Sequence, residues 1–126
     1  MTGLLEVKDL KKWFPVTTSF LRSIFPSETL YVRAVDDINF QVGRGEIVGL
    51  VGESGSGKTT TARLIARLIE PTDGRVILDG RDVYSLEGSE LRKFRREVQI
   101  VYQDPYDSLS ERMRVFDIVS EPLKIH

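Results

Sequence analysis

Apolar and polar residues alternate loosely from Leu4 to Leu10 before Lys11 and Lys12, a pattern that predicts a short half-buried strand. Alternation returns from Tyr31 to Val42 through Val32, Ala34 or Val35, Ile38, Phe40 and Val42, and Gly43-Arg44-Gly45 breaks it as a turn. The stretch between, Pro15 to Leu30, holds two prolines, a Thr/Ser cluster and scattered aromatics (Phe20, Phe25) without a lasting period, and is predicted to be a loop insertion. Glu46 to Val51 is almost wholly apolar, as in a strand buried on both faces. A glycine-rich loop follows, then a helix in which Ala62, Ile65, Ala66 and Ile69 recur at i, i+3, i+4 and i+7. Arg63, Arg67 and Glu70 would face solvent, and Pro71 lies just past the helix end. Arg75 to Leu78 predicts a strand closed by an Asp79-Gly80 turn. A second helix is predicted to open near Ser89 as its N-cap, with Leu91, Phe94 and Val98 on its apolar face. Val98 to Tyr102 predicts another apolar strand, and the remainder is loop-like, then helical around Val115 to Val119.

With 126 residues, 40% hydrophobic and 29% charged, the chain has the composition of an ordinary soluble domain. A net charge of -1 gives no electrostatic reason to expect nucleic acid, so none is expected as a partner. The absence of cysteine excludes disulfides and thiolate metal sites. No apolar run approaches the roughly 20 residues that span a bilayer, and the N-terminus lacks a signal-peptide core. A cytoplasmic polypeptide is expected, one that reaches a membrane only by docking onto something already there.

The chemistry sits between the predicted Glu46–Val51 strand and the first helix. Gly52-Glu53-Ser54-Gly55-Ser56-Gly57-Lys58-Thr59 matches G-x-x-x-x-G-K-[ST] at every fixed position. Glycines let the backbone curl around phosphate oxygens through conformations that a Cβ would obstruct. Successive N–H groups and the positive end of the helix then converge on those oxygens. Lys58 supplies a mobile cation for the β- and γ-phosphates, and Thr59 offers a hydroxyl to Mg²⁺. The pattern arises by chance in roughly one random chain of this length in a few hundred, so a bare glycine turn is the poorer explanation.

Gly43-Arg44-Gly45-Glu46, the run Gly49 to Thr59, Ile69-Glu70-Pro71-Thr72-Asp73-Gly74 and Ile100-Val101-Tyr102-Gln103-Asp104-Pro105-Tyr106 together resemble an ATP-binding cassette (ABC) subunit. The last resembles that family's glutamine loop. The likeness runs from Leu4 to about His126 and is nearest to the ATP-binding subunits of oligopeptide and dipeptide importers. Ser110-Glu111-Arg112-Met113 departs from the Asn-Pro-Arg-Met usual there. The resemblance implies an α/β fold: a partial P-loop NTPase core with an N-terminal antiparallel β segment and an incomplete helical subdomain. Residues 1–126 would form the N-terminal part of one ATP-binding domain, with 15–30 an insertion and 106–126 the start of the helical subdomain. It implies ATP and Mg²⁺ as cofactors and a binding site of Phe14 and the run from Gly52 to Thr60. Lys58 and Gln103 would serve catalysis, and Thr59 and Gln103 the metal. It also implies transmembrane permease subunits and a second ATP-binding subunit as partners, on the inner face of the cell membrane. The family's Leu-Ser-Gly-Gly signature, its apolar strand ending in Asp-Glu and its switch histidine do not occur in these residues. The parent subunit is therefore expected to be an ATPase, and the chain to be a fragment that binds ATP without turning it over.

Other readings stay open on the residues alone. A kinase or GTPase would use Asp104 on the metal, and a non-catalytic nucleotide-binding module would need no more than the loop. Asp79 precedes Gly80 and is better explained by a hairpin turn than by metal binding. For the aromatic that stacks on adenine, the resemblance favours Phe14 over Tyr31. Arg92-Lys93-Phe94-Arg95-Arg96 reads as a solvated helix face. His126, the one histidine, receives no role.

Overall fold

Strand β1 (Leu5–Pro15) is the centre of the architecture because it pairs on both edges, antiparallel to β2 (Tyr31–Val42) and to β3 (Asp73–Leu78). A short β4 (Arg81–Asp82) completes a four-stranded sheet of order β2-β1-β3-β4. The computed structural model describes residues 3–16, 30–104, 109–110 and 112–125. Nearly all of the 15–30 insertion, with Phe20 and Phe25, lies outside the described residues, as do Pro105, Tyr106, Glu111 and His126. The chain divides into two units, Met1–Leu86 and Glu87–His126.

β1 runs beyond the Leu10 end that alternation predicts, through Trp13 and Phe14 to Pro15. A bulge explains the missing periodicity. Val7 and Leu10 are both buried although three residues apart, and Asp9 between them has φ 49°. The Asp9 amide, withdrawn from the ladder, donates to the Asn39 side chain at 2.9 Å. Gly74 faces this bulge from β3 with φ 87°, and a Cβ on it would lie 2.3 Å from the Asp9 carbonyl oxygen. The core of the first unit is Val7, Leu10, Val35, Leu64, Val76, Val83 and Leu86. As predicted, Asp79 and Gly80 form the β3–β4 turn, both at positive φ (50° and 77°).

Helix α1 (Lys58–Ile65) lies against β2. Its buried residues are Thr61 and Leu64, whereas Ala62 of the predicted apolar stripe is exposed. Thr61 can be buried because its hydroxyl donates to the Gly57 carbonyl at 3.0 Å. The helix stops short of Ile69, and Arg67, expected in solvent, turns inward onto the backbone of residues 83 and 86.

Neither of the apolar runs predicted as strands, Glu46–Val51 and Val98–Tyr102, forms one. From Glu46 to Ser56 every residue is exposed, with Ile47 at 97% and Val51 at 94%, and Val101 is 90% exposed. A strand buried on both faces exists only between partner strands with cover above and below. Among the described residues no strand pairs with either run.

In the second unit α2 (Gly88–Glu97) starts with Glu87, not Ser89, at the N-cap and buries Phe94 while Arg92, Lys93, Arg95 and Arg96 face solvent. Helix α3 (Val115–Ile125) extends the helical stretch expected around Val115 to Val119 and has no buried residue.

Gly74→Ala should destabilise the fold by about 2–3 kcal/mol, combining left-handed strain with a backbone clash. Gly80→Ala, where φ is 77° and a Cβ meets nothing within 4 Å, should cost only about 1 kcal/mol of strain. Urea unfolding of the two variants checks the difference.

Candidate functional site

Glycine geometry shapes the loop from Gly52 to Thr59. Gly55 and Gly57 stand at φ 81° and 93°, in the left-handed region that a side chain disfavours. Gly57 is doubly constrained, since a Cβ there would lie 2.2 Å from the Ala34 carbonyl oxygen of β2. This contact seats the N-terminus of α1 on the sheet. At Gly52 the missing Cβ would fall 2.6 Å from Ser56 Oγ and 4.0 Å from Lys58 Nζ. The missing side chain at Gly52 thus leaves open the space beside Ser56 Oγ and Lys58 Nζ.

Lys58 curls back over this space. Its ammonium donates to the carbonyls of Gly52 (2.7 Å) and Glu53 (2.5 Å) and to Ser56 Oγ (3.1 Å). The loop is closed further by the Ser56 amide donating to the Glu53 carbonyl at 3.2 Å. At Gly57, the N-cap of α1, no side chain accepts from the helix amides, and the first turn has no acidic residue. The positive end of the helix dipole therefore has no internal partner. Thr59 is exposed and Thr60 half-buried at the start of the helix. A cation, uncapped amides and an exposed threonine thus stand together in one solvent-exposed site at the helix N-terminus. Its chemistry fits an anion with several oxygens, and a phosphate chain with a divalent metal fits that set.

The adenine-side candidates fall on opposite faces of the β1–β2 ribbon. Cross-strand partners share a face, and residues two apart along a strand share it too. Trp13 pairs with Arg33 and Pro15 with Tyr31, and the Trp13 and Tyr31 rings lie 6.3 Å apart. Trp13 Nε1 donates to Asp36 at 3.0 Å, and the Arg33 guanidinium sits 4.6 Å from the indole centroid. Phe14 pairs with Val32 on the other face, with Lys12 Nζ 5.1 Å from its ring. Lys12 pairs with Val35, whose Cγ2 lies 3.7 Å from the position a Gly57 Cβ would take. Phe14, 40% exposed, thus shares the face that carries the phosphate loop, and Tyr31 does not. Gln103 and Asp104 belong to the second unit, where both are exposed.

Two side chains beyond the predicted set meet at the far end of α1. The Tyr84 hydroxyl donates to the carbonyls of Leu64 (2.7 Å) and Ile69 (3.2 Å). Burial above all, then the Glu70 carboxylate, raises the Tyr84 phenol above its ordinary value; Arg67 opposes the shift and Asp82 adds to it. Arg67 donates to the carbonyls of Val83 (3.0 Å) and Leu86 (2.6 Å). Periodicity places Arg67 in solvent and Tyr84 in a connection, so no sequence signal marks the pair.

The sequence profile of the ABC transporter family matches residues 35–122. A Sinorhizobium fredii protein named "Probable peptide ABC transporter ATP-binding protein y4tS" is 46% identical over 122 residues, 97% of this chain and 33% of that protein. The oligopeptide transport ATP-binding protein OppF of Bacillus subtilis is 47% identical over 124 residues, 98% of this chain and 37% of OppF. The chain therefore spans about a third of the length of the curated relatives it matches. Among solved structures, a dimeric bacterial ABC transporter cassette superposes with a TM-score of 0.70 at 29% identity, covering 95% of this chain and 47% of that one.

Gly57→Ala should unseat the loop, costing at least about 2 kcal/mol in strain and clash. Calorimetric titration should then show ATP affinity reduced roughly thirtyfold or more.

Proposed function

The chain belongs to the ABC transporter ATP-binding family, and from that membership we propose that it supplies the ATP-binding front of a peptide importer's energising subunit. The observation that carries this is the loop geometry: an uncapped helix N-terminus, glycines at φ 81° and 93°, and a lysine folded back onto the loop's carbonyls. The names of the relatives, which refer to peptide and oligopeptide transport, support the substrate class.

In this reading the amides from Gly52 to Thr60, including those of Glu53, Ser54 and Ser56, hold the α-, β- and γ-phosphate oxygens. Lys58 gives up its contacts to the Gly52 and Glu53 carbonyls and pairs with the β- and γ-phosphates instead. Thr59 offers its hydroxyl to Mg²⁺, which when bound neutralises developing charge on the phosphates. Gln103 is the second metal-side ligand and the link to a helical subdomain that begins within residues 106–126. Phe14 stacks on the adenine, favoured over Tyr31 by the face it occupies. Both units are read as parts of one ATP-binding domain.

The whole subunit would pair with a second ATP-binding subunit and with transmembrane permease subunits. Among the described residues no helix is long and apolar enough to cross a membrane. Attachment to the inner face of the cell membrane would then come through those permeases. The kinase or GTPase alternative, with Asp104 on the metal, has nothing in the family match to favour it.

Lys58→Ala should abolish ATP binding measured by calorimetry, because the loop loses its one side-chain cation. Retained affinity would remove the phosphate-loop assignment. Phe14→Ala should weaken ATP roughly tenfold to a hundredfold, as stacking on a base is worth about 1–3 kcal/mol. Tyr31→Ala should change it less than about twofold. Emission from Trp13, which adjoins Phe14 and is the only tryptophan, reports both titrations.

A further inference from the structure

Helix α1 is eight residues long, and Gly57 seats its N-terminal end against β2. Its N-terminus emerges from glycines in left-handed conformations, with no side-chain cap, and only Thr61 and Leu64 along its length are buried. A contact at a single point fixes where such a helix begins and not its direction, which is set by whatever holds its other end. That end is built unusually. The Arg67 amide donates to the Leu64 carbonyl at 3.0 Å, and the Leu68 amide reaches back to the Arg63 carbonyl at 2.8 Å. These two bonds make a Schellman stop, in which residue 67 must adopt a positive φ. Glycine is the usual occupant; here an arginine stands at φ 52°. Stopping the helix does not explain a side chain at that position.

The side chain's contacts do. Arg67 donates to the carbonyls of Val83 and Leu86, which open and follow the 3-10 turn Val83–Ser85. From that same turn Tyr84 donates to the carbonyls of Leu64 and Ile69 at the end of α1. The exchange is reciprocal: each segment sends one side chain to the other's backbone. The Arg67 guanidinium also lies 5.9 Å from the Tyr84 ring centroid. The turn itself is fixed, since Asp82 accepts from the Tyr84 amide at 2.9 Å and Val83 and Leu86 are buried.

We propose that Arg67 and Tyr84 are positioning residues for the nucleotide site, a two-sided clamp that sets the direction of α1 and so aims the phosphate-loop amides. The proposal rests on the ATP-binding reading above. Neither residue belongs to the loop from Gly52 to Thr59. The clamp acts at the opposite end of α1 from Lys58 and Thr59. The left-handed strain at Arg67 is retained because the guanidinium is needed where a glycine would only end the helix.

The test is MgATP calorimetry on the whole chain with Arg67→Gly, Tyr84→Phe and the double variant, each paired with a melting scan without nucleotide. Arg67→Gly keeps the helix stop and relieves its strain, and Tyr84→Phe keeps the ring, so both should fold. Each should weaken MgATP by about fivefold to twentyfold, the effect of misaiming preorganised donors. The double variant should be weakened by much less than the product of the two, because both act through one contact. Melting midpoints lowered with MgATP affinity within about twofold of wild type would overturn the proposal, leaving a purely structural contact. Losses that multiply in the double variant would overturn the idea of a single clamp. Wild-type chain that fails to bind MgATP would overturn the nucleotide reading itself and the clamp with it.

Discussion

At residue 57 the phosphate loop comes so close to β2 that a Cβ would lie 2.2 Å from the Ala34 carbonyl oxygen, and the site is organised around that approach. Only a residue without a side chain can press its backbone there at φ 93°. The contact fixes where the loop ends and α1 begins, and so where the helix amides converge. It also ties the glycine-rich loop to an antiparallel sheet. β1, the strand paired on both edges, holds β2 in place. Its bulge at Asp9 and the matching glycine at 74 let β3 approach closely enough to complete the platform.

Lys58 folds back onto the loop that precedes it. An ammonium desolvates poorly, and here it finds acceptors in the loop's own backbone at Gly52 and Glu53 and in Ser56 Oγ. The same flexible stem can redirect the charge to phosphate, whose oxygens are stronger acceptors than neutral carbonyls. A cation supplied by a rigid fork would make that exchange less readily.

The hairpin makes a choice that spacing leaves open. Phe14 and Tyr31 are both aromatic and both near the strand ends that border the insertion. Pairing across β1 and β2, with the bulge between Lys12 and Trp13, puts Phe14 on the face shared with Val35 and puts Tyr31 beside Trp13 on the other. Arg33 and Asp36 hold the indole there, so that face already has its own packing. The bulge decides the face, because one extra residue reverses every side chain beyond it.

Much of this protein was legible in the residues themselves, where the governing physics is local. G-x-x-x-x-G-K-[ST] specifies a loop by covalent properties of glycine and lysine, so Gly52 to Thr59 could be read without a fold. The Asp79-Gly80 turn and the extent of β2 follow likewise from backbone preference and alternation. The features that escaped are those that depend on partners distant in the chain. Glu46–Val51 and Val98–Tyr102 carry the apolar pattern of buried strands, yet a strand is a relation between segments, and no described segment pairs with them. Val7 and Leu10 face one core only because a bulge absorbs the odd spacing. Arg67 and Tyr84 meet across 17 positions through backbone carbonyls, groups that every residue carries and no sequence pattern can mark. The sequence by itself determined the chemistry of the loop; tertiary structure alone decided which way its helix points and which aromatic shares its face, because direction and facing are set by long-range packing.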